Sequence, residues 1–174
     1  EIYTLSLHDA LPIFDLVVSI ACIVFSYFNF RPKGKAKCFA GDVGSIGIAF
    51  MVLFPLGKLI LQTGDFTYLL LLVVYGVDTI LTICHRIMLH ENLGQAHRKH
   101  AFQILANELK VPHEVVSMAY MLIQLIVSLG LIYISQMHWI YFFTAIILLC
   151  IAYLLFMKKY YHLHAEYLAS ITKK

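Results

Sequence analysis

Residues Asn29–Leu61 read NFRPKGKAKCFAGDVGSIGIAFMVLFPLGKLIL: a basic loop passes through two glycines and an aspartate straight into an apolar run. The loop holds Arg31, Lys33, Lys35 and Lys37, and the run from Ser45 to Leu61 comes close to the roughly 20 residues that a helix needs to cross a bilayer. Comparable runs recur at Phe14–Phe28, Thr67–Cys84, Val115–Ser135 and Trp139–Met157. The whole chain is 61% hydrophobic and 13% charged, with a mean hydropathy of +0.81. Soluble domains sit near about 45–50% apolar and about 25% charged. An all-α, polytopic integral membrane bundle with about five transmembrane helices follows.

The formal charge is only +3, so its placement matters more than its size. The segment Arg86–Glu114 adds Arg86, Arg98, Lys99 and Lys110 to the basic loop, and the tail adds Lys158, Lys159, Lys173 and Lys174. The opposite connections, Gln62–Phe66 and Gln136–His138, hold no Lys or Arg. Positive residues in short loops mark the cytoplasmic side, so both long loops and the C-terminus are expected there. Lys58, near the other side, can snorkel to the interface. Tyr68, Tyr133, Trp139 and Tyr141 supply the aromatic belt at that face.

Cys22, Cys38, Cys84 and Cys150 show no CxxC spacing, which gives neither a disulfide framework nor a zinc site. Residues Tyr3–Ile13, YTLSLHDALPI, resemble the in-frame translation of a sequencing adapter. Residues 1–13 are therefore expected to be foreign to the gene, and 14–174 to be the C-terminal part of a single multi-pass domain.

Asp42, between Gly41 and Gly44, stands at the mouth of an apolar helix whose positive dipole end faces the same side as the basic loop. A carboxylate there can serve a hard cation such as Mg²⁺, which binds through one or two carboxylates and substrate phosphates. The plain alternative is that Asp42 or Ser45 caps the helix. No Gly-Lys-Ser/Thr follows, so the segment is not a P-loop. Asp78 lies inside an apolar span, and Asp78, Thr82 and Arg86 form a stripe at i, i+4 and i+8. An intramembrane carboxylate is a functional candidate, with a structural tie between helices as the equal alternative.

His85, His90, His97, His100 and His113 crowd the second long loop around Ala96-His97-Arg98-Lys99-His100-Ala101-Phe102-Gln103. A guanidinium beside imidazoles suits a diphosphate. A metal site is the rival, because His97 and His100 at i, i+3 share a helix face, although the adjacent cations oppose it. His113-Glu114-Val115-Val116-Ser117 lacks the second His of the zinc-protease pattern. Phe102, Leu105 and Leu109 mark a short amphipathic surface helix that ends before Pro112, and Gln124 and Ser128 read as contacts between helices.

The pieces FAGDVGS with Asn29 before it, Asp78–Arg86, and HRKHAFQ resemble the polyprenyl-phosphate N-acetylhexosamine-1-phosphate transferases of bacterial glycosyltransferase family 4. The likeness covers Phe14 to about Ser135. HRKHAFQ is similar to a branch that initiates O-antigen or another surface polysaccharide in cell wall biogenesis, and departs from the His-x-His-His form of a related branch.

The resemblance implies transfer of a sugar 1-phosphate from a UDP-N-acetylhexosamine to undecaprenyl phosphate, with release of UMP. It implies that Asp42 is catalytic and a ligand of Mg²⁺. It further implies that Asn29, Gly41, Gly44, Ser45, Arg86, His97, Arg98 and His100 meet the substrates, with Asp78 as the intramembrane group. The family's acidic pair is absent from this sequence, so the chain alone is expected to be inactive. Expected partners are the two substrates and membrane lipids of the bacterial inner membrane, with a homodimer left open and no nucleic acid. The alternatives are a transporter or channel that uses Asp78, and a CDP-alcohol phosphotransferase, whose aspartate-rich DG helix is not found here.

Overall fold

Backbone amides inside a bilayer must be satisfied within their own segment, and every apolar run here becomes a helix. The computed structural model describes residues 2–29, 31, 35, 37–95, 97–134 and 138–172, with the backbone alone for 2–11 and 164–172. Lys33, Ser135, Gln136, Lys173 and Lys174, used in the sequence reading, lie outside the described residues. The elements are α1 (Ile2–Asn29), α2 (Gly41–Thr63), a 3-10 helix (Phe66–Leu72), α3 (Val73–Met88), α4 (Ala101–Asn107), α5 (His113–Tyr133) and α6 (His138–Thr172). Among the described residues no strand occurs. Among the described residues five stretches are long and apolar enough to cross a membrane: Pro12–Asn29, Gly41–Thr63, Phe66–Met88, His113–Tyr133 and His138–Leu163. The chain is an all-α, polytopic membrane protein.

It divides into two units, 1–68 and 69–174. In the first, α1 and α2 meet through Phe14 and Phe54, edge to face with ring centres 6.3 Å apart. Most of their described apolar side chains stay exposed: Phe50 by 69% and Leu61 by 86%, surface that only an apolar surrounding would cover. Gly64 ends α2 with a left-handed φ of 68°, and its N–H bonds to the Ile60 carbonyl. Asp65 then accepts the Thr67 N–H at 2.9 Å, which opens the 3-10 helix.

The second unit carries a packed core. Val73, Val74 and Val77 of α3 are buried with Ala101 and Ile104 of α4, Val116, Val127 and Leu131 of α5, and Ala145, Tyr153 and Met157 of α6. Where the 3-10 helix passes into α3, the backbone ladder changes register and leaves groups to satisfy. Gln124 of α5 meets both: its Oε1 accepts the Val74 N–H at 3.1 Å and its Nε2 donates to the Leu70 carbonyl at 2.8 Å. The same Nε2 lies 3.1 Å from Ser128 Oγ, so the expected interhelical role of Gln124 is observed. Farther along α5, Gly130 leaves room for the Tyr141 ring of α6, whose hydroxyl donates to the Val127 carbonyl at 2.9 Å; a Cβ at Gly130 would overlap that ring.

Candidate functional site

In the first unit α2 begins at Gly41, four residues before the expected start at Ser45. Gly41 takes φ +62°, a conformation that L side chains rarely adopt, and this lets the loop enter the helix early. Asp42 and Gly44 consequently lie in the first helical turn rather than in a loop. Neither capping alternative occurs: Ala40 occupies the cap position without a side-chain bond, and the Ser45 hydroxyl donates back to the Gly41 carbonyl at 2.8 Å. The Asp42 carboxylate is left exposed at the helix end where negative charge is favoured.

Asn29 closes α1, and its carbonyl accepts the Arg31 N–H at 2.8 Å. Arg31 folds back over Tyr27 and Phe28, 5.1 and 5.8 Å from their ring centres, while Lys35 and Lys37 remain exposed.

The second unit is organised around Asp78, 2% exposed. Its Oδ1 accepts the Ala101 N–H at 3.0 Å and the Thr82 hydroxyl at 3.2 Å, and its Oδ2 accepts the Tyr120 hydroxyl at 3.0 Å. With its own proton directed to Asp78, Thr82 accepts from the Tyr153 hydroxyl, 2.8 Å away. One carboxylate thus joins α3, the start of α4, α5 and, through Thr82, α6. It caps α4 across space, a helix too short to hold its own ends.

Residues 97–99 are not helical, so His97 and His100 do not share a helix face; His100 has an extended backbone and forms the N-cap of α4. Its N–H donates to Gln103 Oε1 at 3.3 Å, its Nδ1 lies 3.5 Å from Asp78 Oδ1, and its ring stacks on Phe102 at 5.3 Å. The His97 and His100 rings nevertheless lie only 5.0 Å apart. α4 stops at Asn107, which leaves Leu109 of the expected amphipathic face beyond it.

The two cations beside the histidines part company. Lys99 is buried and pairs with Glu91, whereas Arg98 is exposed and pairs with no carboxylate among the described residues. Glu91 also meets Arg86 Nε at 3.3 Å. The Arg86 guanidinium holds the loop from inside, donating to the carbonyls of Asn92 at 2.6 Å, Gln95 at 3.2 Å and Leu93 at 3.5 Å. Arg86, expected to meet substrate, is thus engaged by its own loop. The Lys99 ammonium, with Arg86, holds the Glu91 carboxyl below the usual range. Burial, reinforced by the positive charges of Arg86, His100 and Lys99, lowers His97 from its ordinary value.

Tyr120, Tyr153 and Glu91 escaped the sequence reading. Each had a signal: a phenol inside an apolar span needs a partner, and Glu91 is the lone acid between Asp78 and Glu108. Among the described residues no three His, Cys, Asp or Glu gather as a metal cage. Asp42 fits one position of a hard cation: an exposed oxygen donor with no capping bond, at a site where water and phosphates can complete the shell. Comparison with protein-family models, curated proteins and solved structures gives no match.

Proposed function

We propose that the chain belongs to a membrane transferase that moves a sugar 1-phosphate from a UDP-N-acetylhexosamine to undecaprenyl phosphate, releasing UMP at the cytoplasmic face of a bacterial inner membrane. The observation that carries this reading is the Asp42 carboxylate: exposed in the first turn of a membrane-length helix, flanked by glycines and free of a capping bond. The sequence likeness at Gly41–Ser45 and His97–Gln103 supports it.

In this reading Asp42 would hold Mg²⁺, which when bound offsets charge on the diphosphate. Arg98 has a guanidinium fork available for two phosphate oxygens, and His97 and His100 add imidazole donors. Asp78 positions this loop through the Ala101 amide rather than meeting substrate. Phosphoryl transfer depends chiefly on such positioning and electrostatics. A channel or proton relay through Asp78 fits less well, because its oxygens are already bound by groups from several helices.

The test is UMP release from UDP-N-acetylglucosamine or its galacto epimer by membranes carrying the complete gene product, with undecaprenyl phosphate added. Turnover is expected to require Mg²⁺, and Asp42→Asn to lower it about a hundredfold or more with membrane insertion unchanged. Normal turnover by that variant removes Asp42 from the site. Absence of UMP release with both sugar nucleotides rejects the reading.

A further inference from the structure

Between them α3 and α6 enclose a groove of about 570 Å³, whose lining includes His85 and Tyr153. Successive spans reverse direction, so α3 and α6, separated by α5, run parallel and bring residues 81–88 and 153–162 to one side. Leu81, Leu154 and Met157 form the walls, while His85, Lys158 and His162 stand at the mouth. The groove opens sideways, for Leu154 is 57% and Met88 77% exposed. His85 is set by an edge-to-face contact with Tyr161, ring centres 4.6 Å apart. Lys158 is exposed, whereas the neighbouring Lys159 lies over Tyr160 at 5.1 Å. Among the described residues no Asp or Glu lines the groove.

We infer that this groove binds one anionic glycerophospholipid, with an acyl chain along Leu81, Leu154 and Met157 and the phosphate beneath Lys158, His85 and His162. The chemistry is complementary at both ends. The walls are hydrocarbon and open laterally, where an acyl chain enters without crossing water. The mouth lies where the apolar part of α6 gives way to Lys158 and Lys159, the depth of lipid headgroups. One ammonium and two imidazoles, with no carboxylate among them, select a negative headgroup over a zwitterionic one. A Lys near an anionic membrane surface contributes about 1 kcal/mol, or about fivefold in affinity. The volume falls within the usual range of about 300–1,000 Å³ for small-molecule sites. This inference is independent of the proposed transferase activity.

The test is native mass spectrometry of the purified, delipidated chain, titrated with equal amounts of phosphatidylglycerol and phosphatidylcholine bearing the same acyl chains. Phosphatidylglycerol is expected to be retained about fivefold more, and Lys158→Gln to erase that preference. Lys110→Gln, an exposed cation elsewhere, should preserve it, while Leu154→Trp should reduce retention of both lipids by narrowing the groove. A diazirine-bearing phosphatidylglycerol should cross-link to the peptides that contain Cys84 and Met157. Equal retention of the two lipids, a preference that survives Lys158→Gln, or cross-links confined to other helices would each overturn the assignment. Displacement of phosphatidylglycerol by equimolar undecaprenyl phosphate, or by self-association of the chain, would also overturn it, because the groove would then belong to another occupant.

Discussion

At Asp78 a carboxylate is accommodated inside an apolar span because donors from other helices reach both of its oxygens. Asp78→Leu should leave the Ala101 N–H and the Tyr120 hydroxyl buried without an acceptor, at about 1–3 kcal/mol for each. Asp78→Asn keeps one acceptor oxygen and should fall between the two. The unfolding midpoint in mixed detergent micelles ranks the three proteins; equal midpoints for Leu and wild type would mean that the network contributes nothing.

Glu91 and His97 make the same loop sensitive to acid. The Glu91 carboxyl is held below its usual range, so its stabilisation is present above the unfolded value and is lost as pH falls through the folded one. His97 resists protonation in the fold, so below about pH 6.5 the opened loop takes up a proton that the closed loop does not. Both effects loosen residues 91–97 on acidification. Amide exchange there, after correction for its intrinsic pH dependence, should show less protection at pH 5 than at pH 7.5, and Glu91→Gln should flatten the response at its acid end.

At the scale of elements, the hydrophobic runs revealed where helices cross the membrane but not where they begin or end. The apolar run of α6 was read to Met157, yet the helix continues to Thr172, because Lys158–Tyr161 change the solvent preference without breaking a helix. The start of α2 was misjudged for the opposite reason: Gly41, read as loop, supplies the positive φ that begins the helix. The Asp78–Thr82–Arg86 stripe was legible from its spacing alone, since all three are buried on one face. Its partners were not, because Tyr120 and Tyr153 come from separate helices whose rotation no local pattern fixes. The non-helical course of His97–Lys99 was equally hidden, since the start of α4 at Ala101 is held by Asp78, distant in sequence. Tight packing of α5 on α6 is testable by a double-mutant cycle. Gly130→Ala should destabilise by about 1–3 kcal/mol through overlap with Tyr141. In the Tyr141→Ala background the same change should be nearly neutral.

At the scale of the whole molecule, the distribution of Lys and Arg leads to the expectation that the basic loops lie on the cytoplasmic side. Cys38 is exposed in the loop before α2. An impermeant maleimide should label it only after the membrane is opened; labelling in intact cells would reverse the orientation. Membrane thickness also bears on the 3-10 entry to α3. Seven residues rising about 2.0 Å each, in place of about 1.5 Å, lengthen that span by about 3.5 Å. They also turn about 20° more per residue, so the segment acts as a screw thread that sets the rotational phase in which α3 begins. Were residues 66–72 to relax into α-helix, the span would shorten and its two ends would differ in phase by about 140°, enough to carry Asp78 from the Ala101 amide to the far side of its helix. The Gln124 carboxamide, hydrogen-bonded to Leu70 within the thread and to Val74 just beyond it, is the pin that holds its junction with α3.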